Sequence, residues 1–259
     1  MPRARIIASS PGGRTPTGMA AKYDSLHRVK TSASAVAESP TYVSAPEAIA
    51  LSLLRPYGGA LLDVGCGRGT VAIHAHSGFR YRLGLDFSEF FLEQAVVRAN
   101  ALPTQENIRI EFMKHDLDDS LPLAEASFDA VVSLACLEHV FDVYGLLSEL
   151  RRVMKPGAVL VLQVPNIAYA RHRLSLLLGR LPVTASSPEL WWRDYWDGTH
   201  LHYFTLAAVK MLLAHVGLVY IGVTGSGRLR PLRAWRPSLL TSDLIVIAFR
   251  PHAEPAGAT

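Results

Sequence analysis

The sequence predicts an α/β fold built around a mostly parallel sheet with helices on both faces, and two observations support this prediction. Short apolar runs alternate with segments whose apolar residues recur at helical spacing, which is typical of repeated βαβ units. Polar or glycine-rich residues follow the ends of these runs, where ligands bind in open parallel sheets. The predicted strands of the parallel part lie at 60–64, 81–86, 108–112, 128–134 and 158–164.

The remaining elements continue this alternation, apart from one interruption after the fifth strand. Within residues 165–204, the first thirty-five residues, 165–199, show no strand character and are rich in Arg, Leu and Trp. A long irregular segment in a compact domain is usually a lid or a binding element, so we expect a lid-like insertion there. A dimer face and a peripheral membrane contact are the alternatives. The other predicted elements are helices at 47–54, 146–154 and 206–215 and strands at 218–224 and 242–249.

The most informative feature of the chain is a glycine-rich segment at the end of the first predicted strand. Residues 61–70 read Leu-Leu-Asp-Val-Gly-Cys-Gly-Arg-Gly-Thr, with Asp63 preceding Gly65, Gly67 and Gly69. Glycines permit a tight turn that brings the backbone against a ligand, and such a turn before a helix is a nucleotide-type site. The G-x-G-x-G spacing differs from the G-x-G-x-x-G of dinucleotide sites. A carboxylate before the first glycine would repel a pyrophosphate and suits a cationic ligand.

Carboxylates also follow the second and third predicted strands. Asp86 ends the second strand, where a carboxylate can accept hydrogen bonds from ribose hydroxyls. Asp116 follows the third strand in an acidic turn with Asp118 and Asp119. Taken singly, Asp63 and Asp86 also fit residues that cap helices or end strands, and the acidic turn also fits a solvated surface. Together with the glycines, the two acids favour a ligand site.

In order and spacing, these segments resemble the class I S-adenosylmethionine-dependent methyltransferases over roughly residues 45–250. The resemblance implies a Rossmann-like sheet of seven strands, mostly parallel, whose last two strands pair as an antiparallel edge hairpin. It also implies S-adenosyl-L-methionine as the cofactor, with Asp116 meeting the adenine amino group and Leu117 packing on the ring. The residues that it implies for cofactor binding are Asp63, Gly65, Cys66, Gly67, Gly69, Asp86, Phe87, Asp116, Leu117 and Leu134.

A second motif, at residues 198–205, points to the side of the methyl acceptor. It reads Gly-Thr-His-Leu-His-Tyr-Phe-Thr and resembles a signature of ubiquinone-biosynthesis methyltransferases and of polysaccharide-cluster relatives, although His202 and Tyr203 depart from it. His200 in this motif and His139 after the fourth strand are our candidate catalytic bases, because imidazole titrates near neutral pH. His139 also fits a structural role. His200 and His202 could bind a metal, but no third ligand is evident nearby, so we expect no metal site.

These observations predict an enzyme that moves a methyl group to a small-molecule acceptor, at an oxygen, by in-line displacement. A non-catalytic methyltransferase-like protein that binds the cofactor and regulates a partner enzyme is the alternative. An NAD-dependent oxidoreductase is disfavoured by the glycine spacing and by Asp63. A nucleic-acid acceptor is disfavoured because the Asn/Asp-Pro-Pro-Tyr signature is missing after the fourth strand, where residues 133–136 read Ser-Leu-Ala-Cys.

Composition agrees with one such domain. The chain has 259 residues, of which 49% are hydrophobic, and a formal net charge of +4 that lies largely near its edges. We expect a disordered or loosely ordered arm at 1–40, a methyltransferase domain at 41–252 with its acceptor-side insertion at 165–204, and a disordered tail at 253–259. Two cysteines give no disulfide framework, and no apolar stretch is long enough for a membrane span. We therefore expect a cytoplasmic protein, and the sequence leaves its oligomeric state open.

Overall fold

The strands of this protein form one mixed sheet, seen in a computed structural model that describes residues 4–8, 41–103, 107–184, 200–226 and 235–252. Within those residues the strands are β1 (Ala4–Ile7), β2 (Gly59–Val64), β3 (Phe79–Asp86), β4 (Arg109–Lys114), β5 (Phe128–Leu134), β6 (Met154–Pro165), β7 (Val219–Thr224) and β8 (Asp243–Phe249). The helices are α1 (Ala45–Leu53), α2 (Thr70–His74), α3 (Glu89–Ala101), α4 (Val143–Val153), α5 (Ala170–Leu177), α6 (Leu206–His215) and α7 (Pro237–Leu240). A 3₁₀ turn spans Leu137–His139.

The strand order is β1-β4-β3-β2-β5-β6-β8-β7. All neighbours from β1 to β6 are parallel, and β8 runs antiparallel between β6 and β7. The chain runs outward from β2 through β3 to β4 and then returns to β5 on the other side of β2. The carboxyl ends of β2 and β5 therefore flank the point where the strand order reverses, which is where such sheets bind ligands.

Helices cover both faces of the sheet, as the sequence predicts. Neighbouring residues of each strand point to opposite faces, so apolar side chains on both faces pack against helices. Leu62 of β2 belongs to a core that includes residues of α4 and α6, whereas the preceding Leu61 belongs to a core that includes residues of α1 and α2. A third cluster joins α3 to β4, with Phe112 fully buried at its centre. The α/β fold class with an antiparallel edge pair is therefore confirmed.

Strand β1 corrects the prediction of seven strands, because it adds an eighth strand from within the predicted arm at 1–40. Ala4–Ile7 pairs in parallel with β4, from Ala4 opposite Ile110 to Ile7 opposite Met113. The side chain of Ala4 is buried, and Arg5 lies 2.9 Å from a carboxylate oxygen of Glu111. The polar composition of the surrounding arm hid this short apolar segment. Residues 9–40 and the predicted tail at 253–259 lie outside the described residues.

A fully buried arginine anchors the short helix α2 from its carboxyl end. Nη1 of Arg82 donates to the carbonyl oxygens of Ala72 and Ile73, each 3.0 Å away. Its Nε and Nη2 donate to the carbonyl oxygens of Phe79 and His76, at 3.1 and 3.0 Å. Helices leave their last carbonyls without an intrahelical partner, so the guanidinium satisfies those groups. It thereby fixes the helix that follows the glycine-rich segment.

The predicted insertion at 165–204 begins and ends in contact with the sheet. Asn166 at its start forms a parallel bridge with Phe204 at its end, and Thr205 caps α6 as the sequence indicates by accepting a hydrogen bond from the amide of Ala208. Helix α5 lies within the insertion and exposes several leucines. Residues 185–199, which include the three clustered tryptophans, lie outside the described residues. No helix in the described part of the chain has the length and hydrophobicity to cross a membrane.

Candidate active site

The glycine-rich turn after β2 adopts a conformation that requires glycine. Gly65, Gly67 and Gly69 have φ values of +68°, +49° and +72°, in the left-handed region that other residues avoid. A Cβ atom on Gly65 would lie 2.6 Å from Sγ of Cys136, and one on Gly69 would lie 2.7 Å from the ring of Phe112. A Cβ on Gly67 would meet no atom within 4 Å. The first and third glycines are therefore packed against the core, and the second borders open space.

Asp86 at the end of β3 holds this turn with its carboxylate. Oδ2 accepts the amide hydrogen of Gly67 at 2.8 Å, and Oδ1 accepts that of Ser88 at 2.9 Å. The residue is nearly buried, and Phe87 beside it is half-buried. A carboxylate offers about four lone-pair sites, which is more than the two bonds to these backbone amides occupy. The sequence-predicted ribose position thus lies beside the open second glycine.

Asp63 at the end of β2 is a buried carboxyl group with a strongly altered acidity. Burial, together with the negative charges of Glu47 and Asp86, raises the pKa of Asp63 from 3.8 to about 7, although the amide of Ala72 opposes the rise by donating to Oδ2 at 3.2 Å. Burial disfavours the ionised form, and a nearby cation would favour it. The group is therefore suited to a positively charged ligand.

The acidic turn after β4 has a structural role that the sequence did not indicate. Oδ1 of Asp118 accepts the amide hydrogens of Phe141 and Asp142, at 2.7 and 3.1 Å, and so ties this turn to the segment after β5. Asp116 is half-exposed, and its Oδ1 accepts the amide hydrogen of Asp118 at 3.2 Å. Leu117 is buried in the main core. Asp116 and Leu117 therefore border the same edge of the sheet as Asp86.

The segment after β5 turns sharply against the glycine-rich turn. Leu134 is half-buried at the end of the strand, and the next residue, Ala135, has a φ of +50°. This left-handed conformation is uncommon for alanine and places Cys136 against Gly65. Burial raises the pKa of the Cys66 and Cys136 thiols, which makes both of them poor nucleophiles.

The structure brings the two candidate catalytic histidines together, although they are far apart in sequence. The rings of His139 and His200 meet edge to face with centroids 4.8 Å apart. Oγ1 of Thr184 lies 2.7 Å from Nδ1 of His200. His202 does not join them, because its Nε2 lies 3.3 Å from the carbonyl oxygen of Phe141. The histidine pair that forms is therefore His139 with His200 rather than His200 with His202.

Glu138 is the residue of this site that the sequence analysis missed. Its side chain is 1% exposed, and its backbone carbonyl accepts the amide hydrogens of Leu201 and His202, at 2.7 and 3.3 Å. Ligand atoms of Glu138, His139 and His200 all lie within 4.8 Å of one another. The expectation of no metal site depended on a missing third ligand, and that premise is wrong. The sequence signal for this third ligand was the Glu-His pair after a strand end, because the insertion returns to the same edge of the sheet.

Comparison with known proteins finds similarity to methyltransferases over part of the chain. Residues 62–162 match the profile of the family described as "Methyltransferase domain". Norajmaline N-methyltransferase of Rauvolfia serpentina is 30% identical over 44% of this chain and 37% of its own length. Ubiquinone biosynthesis O-methyltransferase of Xanthomonas axonopodis pv. citri is 30% identical over 48% of this chain and 50% of its own length. The chain thus spans about half or less of the length of these relatives.

Solved structures share the fold over most of the chain. An S-adenosylmethionine-dependent methyltransferase of Mesorhizobium loti is 26% identical, with a TM-score of 0.57 over 80% of this chain and 99% of its own. The magnesium protoporphyrin IX methyltransferase of Synechocystis, solved with bound SAH, is 16% identical, with a TM-score of 0.55 over 92% of this chain and 90% of its own. The architecture described above is therefore that of known methyltransferases.

Proposed function

We propose, from the premise that this chain carries a class I S-adenosylmethionine-dependent methyltransferase domain, that it transfers a methyl group to an oxygen of a small-molecule acceptor. One observation carries the proposal. The open face of Gly67, the carboxylate of Asp86 and the buried carboxyl group of Asp63 occupy one edge of the sheet. In that order, they provide space in which a ligand can approach the protein backbone, an acceptor of hydrogen bonds from hydroxyl groups, and a group that favours a cation.

The residues of this edge fit the cofactor in distinct ways. Asp86 would accept hydrogen bonds from the ribose hydroxyls, and Asp63 would ionise opposite the positively charged amino acid end. Phe87, Asp116 and Leu117 would flank the adenine. When bound, S-adenosylmethionine supplies a methyl group attached to a positively charged sulfur. The glycine-rich turn and Leu134 would hold the reacting atoms in line with the acceptor, because alignment accounts for much of the rate of such a displacement.

The acceptor side is formed by the segment after β5 and by the end of the insertion. His139 and His200 would receive the proton that an acceptor hydroxyl loses, since imidazole is a base near neutral pH. Exposed apolar side chains lie near this pair in the sequence, namely Phe141, Leu201 and Tyr203. Exposed apolar residues next to two imidazoles favour an organic hydroxyl compound over a nucleic acid, whose backbone requires basic contacts.

Cofactor choice is tested by thermal unfolding of the purified chain with S-adenosylhomocysteine or with NADH. We expect S-adenosylhomocysteine to raise the unfolding temperature and NADH to leave it unchanged, because a ligand that binds the native state stabilises it. Asp86→Asn should lose most of this effect, whereas Glu93→Gln, on the exposed surface of α3, should retain it. Stabilisation by NADH alone would contradict the proposal.

Transfer itself is tested with tritiated S-adenosylmethionine and a panel of phenols, catechols and hydroxylated metabolites. We expect label in an acceptor, and we expect His139→Ala and His200→Ala to lower turnover while cofactor affinity stays the same. His215→Ala, at the end of α6, is the matched control and should behave as the wild type. A chain that binds the cofactor but labels nothing, in the panel or in a lysate, would instead support the regulatory alternative.

A further inference from the structure

We propose that Glu138, His139 and His200 form a binding site for a divalent transition-metal ion of the Zn²⁺ type. Their ligand atoms lie within 4.8 Å of one another and comprise two imidazoles and one carboxylate. This is the ligand set of zinc sites that keep a fourth position open for water or substrate. The inference concerns ion binding by the chain itself and does not depend on the identity of the methyl acceptor.

Main-chain hydrogen bonds position this cluster, so it does not depend on contacts between surface side chains alone. The 3₁₀ turn after β5 presents Glu138 and His139 as neighbours, and the carbonyl of Glu138 binds the amides of Leu201 and His202. Those two bonds hold the segment that carries His200 beside the turn. Three ligands from two distant parts of the chain are thus positioned by main-chain hydrogen bonds.

A threonine orients one of the imidazoles. Oγ1 of Thr184 lies 2.7 Å from Nδ1 of His200, and in the tautomer in which Nδ1 donates to this oxygen, Nε2 carries the lone pair that would bind the ion. Histidine ligands in metal sites usually form such a bond through their other ring nitrogen, and it fixes the tautomer and the direction of the ring. The contact of Thr184 therefore prepares His200 for a role as a ligand.

The donor set selects the class of ion. Calcium and magnesium are bound mainly by oxygen atoms, whereas imidazole nitrogen favours zinc, iron, nickel and copper. Ligands about 2.0–2.2 Å from a tetrahedral ion are about 3.3 Å from one another, so the present cluster must contract by at most about 1.5 Å. Small rotations of the half-buried His139 and His200 can supply that movement. The nearly buried Glu138 would contribute the negative charge that an ion requires.

An ion at this position has a chemical consequence that does rest on the proposed function. Its open coordination position would accept the oxygen of the acceptor and lower the pKa of that hydroxyl, as metal ions do for bound water. In the ion-loaded protein the hydroxyl proton would then leave to solvent, and the two imidazoles would act as ligands rather than as bases.

The inference is tested by titrating Co²⁺, as a spectroscopic substitute for Zn²⁺, into tag-free protein that has been stripped with EDTA. We expect one Co²⁺ per chain with visible d–d absorption bands, displaced by Zn²⁺ and not by Mg²⁺. Glu138→Gln, His139→Ala and His200→Ala should each weaken binding at least tenfold. His202→Ala, next to the cluster but directed to the carbonyl of Phe141, is the matched control and should bind as the wild type.

Binding of S-adenosylhomocysteine by each variant reports whether it is folded, so that weak ion binding cannot arise from unfolding alone. If Glu138→Gln loses the cofactor as well, the two histidine variants decide the result. The inference is wrong if the wild type takes up no Co²⁺, or if folded His139→Ala or His200→Ala binds the ion as tightly as the wild type. Because the Co²⁺ titration contains neither cofactor nor acceptor, its outcome is independent of methyl transfer.

Discussion

Replacing the buried carboxyl group of Asp63 by an amide should make the ligand-free protein more stable and the cofactor complex weaker. Asn has nearly the same shape as protonated Asp, and its side-chain oxygen can still accept the hydrogen bond of Ala72. It cannot ionise. The change therefore separates the charge of Asp63 from its packing, which a truncation to alanine would not do.

The magnitude follows from the raised pKa of Asp63, which is about 7 in the folded chain against 3.8 ordinarily. Each pKa unit corresponds to about 1.4 kcal/mol, so ionisation of this buried group costs the folded state at most about 4 kcal/mol. Because the folded pKa is raised, the stability that protonated Asp63 provides is complete below about pH 4. It is lost as the pH rises to about 7. Asp63→Asn avoids that loss.

Urea unfolding of the wild type and of Asp63→Asn at several pH values measures this effect. We expect the variant to be more stable by about 2 kcal/mol near pH 5 and by up to about 4 kcal/mol near pH 8, because the contributions of groups that do not interact with Asp63 cancel in the comparison. Glu93→Gln on the exposed face of α3 is the control and should differ little from the wild type at either pH. A difference that is absent, or that shrinks with rising pH, would refute the reasoning.

Three further predictions concern Asp63, the glycine-rich turn and the arginine that anchors α2. Affinity for S-adenosylhomocysteine, measured by calorimetry, should rise with pH up to about 7 in the wild type as Asp63 ionises, and a flat profile in the wild type would argue against that contact. Gly67→Ala should lower the free energy of unfolding by about 1–2 kcal/mol through its positive φ alone, and it should abolish cofactor binding. Gly69→Ala should lower the free energy of unfolding by more than about 2 kcal/mol, because its added Cβ also clashes. Equal free energies of unfolding for the two variants would contradict this prediction. Arg82→Met should lower the free energy of unfolding by about 3 kcal/mol or more, because it leaves buried carbonyls without donors, whereas the exposed Arg80→Met should cost less than 1 kcal/mol.

The parallel part of the fold could be predicted from the sequence because each strand is an apolar run that ends in a recognisable turn. The glycine-rich turn at 65–69 was informative since its residue types are dictated by backbone conformation. The antiparallel pairing of β7 and β8 came from a family resemblance, because nothing in two short strands specifies their direction. Strand β1 was missed because its stability comes from pairing with β4, which local composition does not reveal.

The residues of the candidate site also divide into those that the sequence indicates and those that it does not. Asp63 and Asp86 could be predicted as site candidates because each one ends a strand beside the glycines, where the topology brings strand ends together. Glu138 was missed because its relation to His200 depends on a backbone hydrogen bond across a long insertion. Asp118 was passed over for a similar reason, since an exposed acid in a turn shows no sign in the sequence that it binds the amides of another segment. Local sequence patterns do not indicate contacts between loops.

Both ends of the insertion are held to the domain by backbone hydrogen bonds. Asn166 at its start forms a bridge with Phe204 at its end, and the amide of Leu201 donates to the carbonyl oxygen of Glu138, so the insertion begins and ends at fixed points of the domain. The length and composition of the intervening chain can then change without moving the glycine-rich turn. Under the proposed function, in which the end of the insertion lies on the acceptor side, a chimera with the corresponding segment of a relative should keep its cofactor affinity while its acceptor changes.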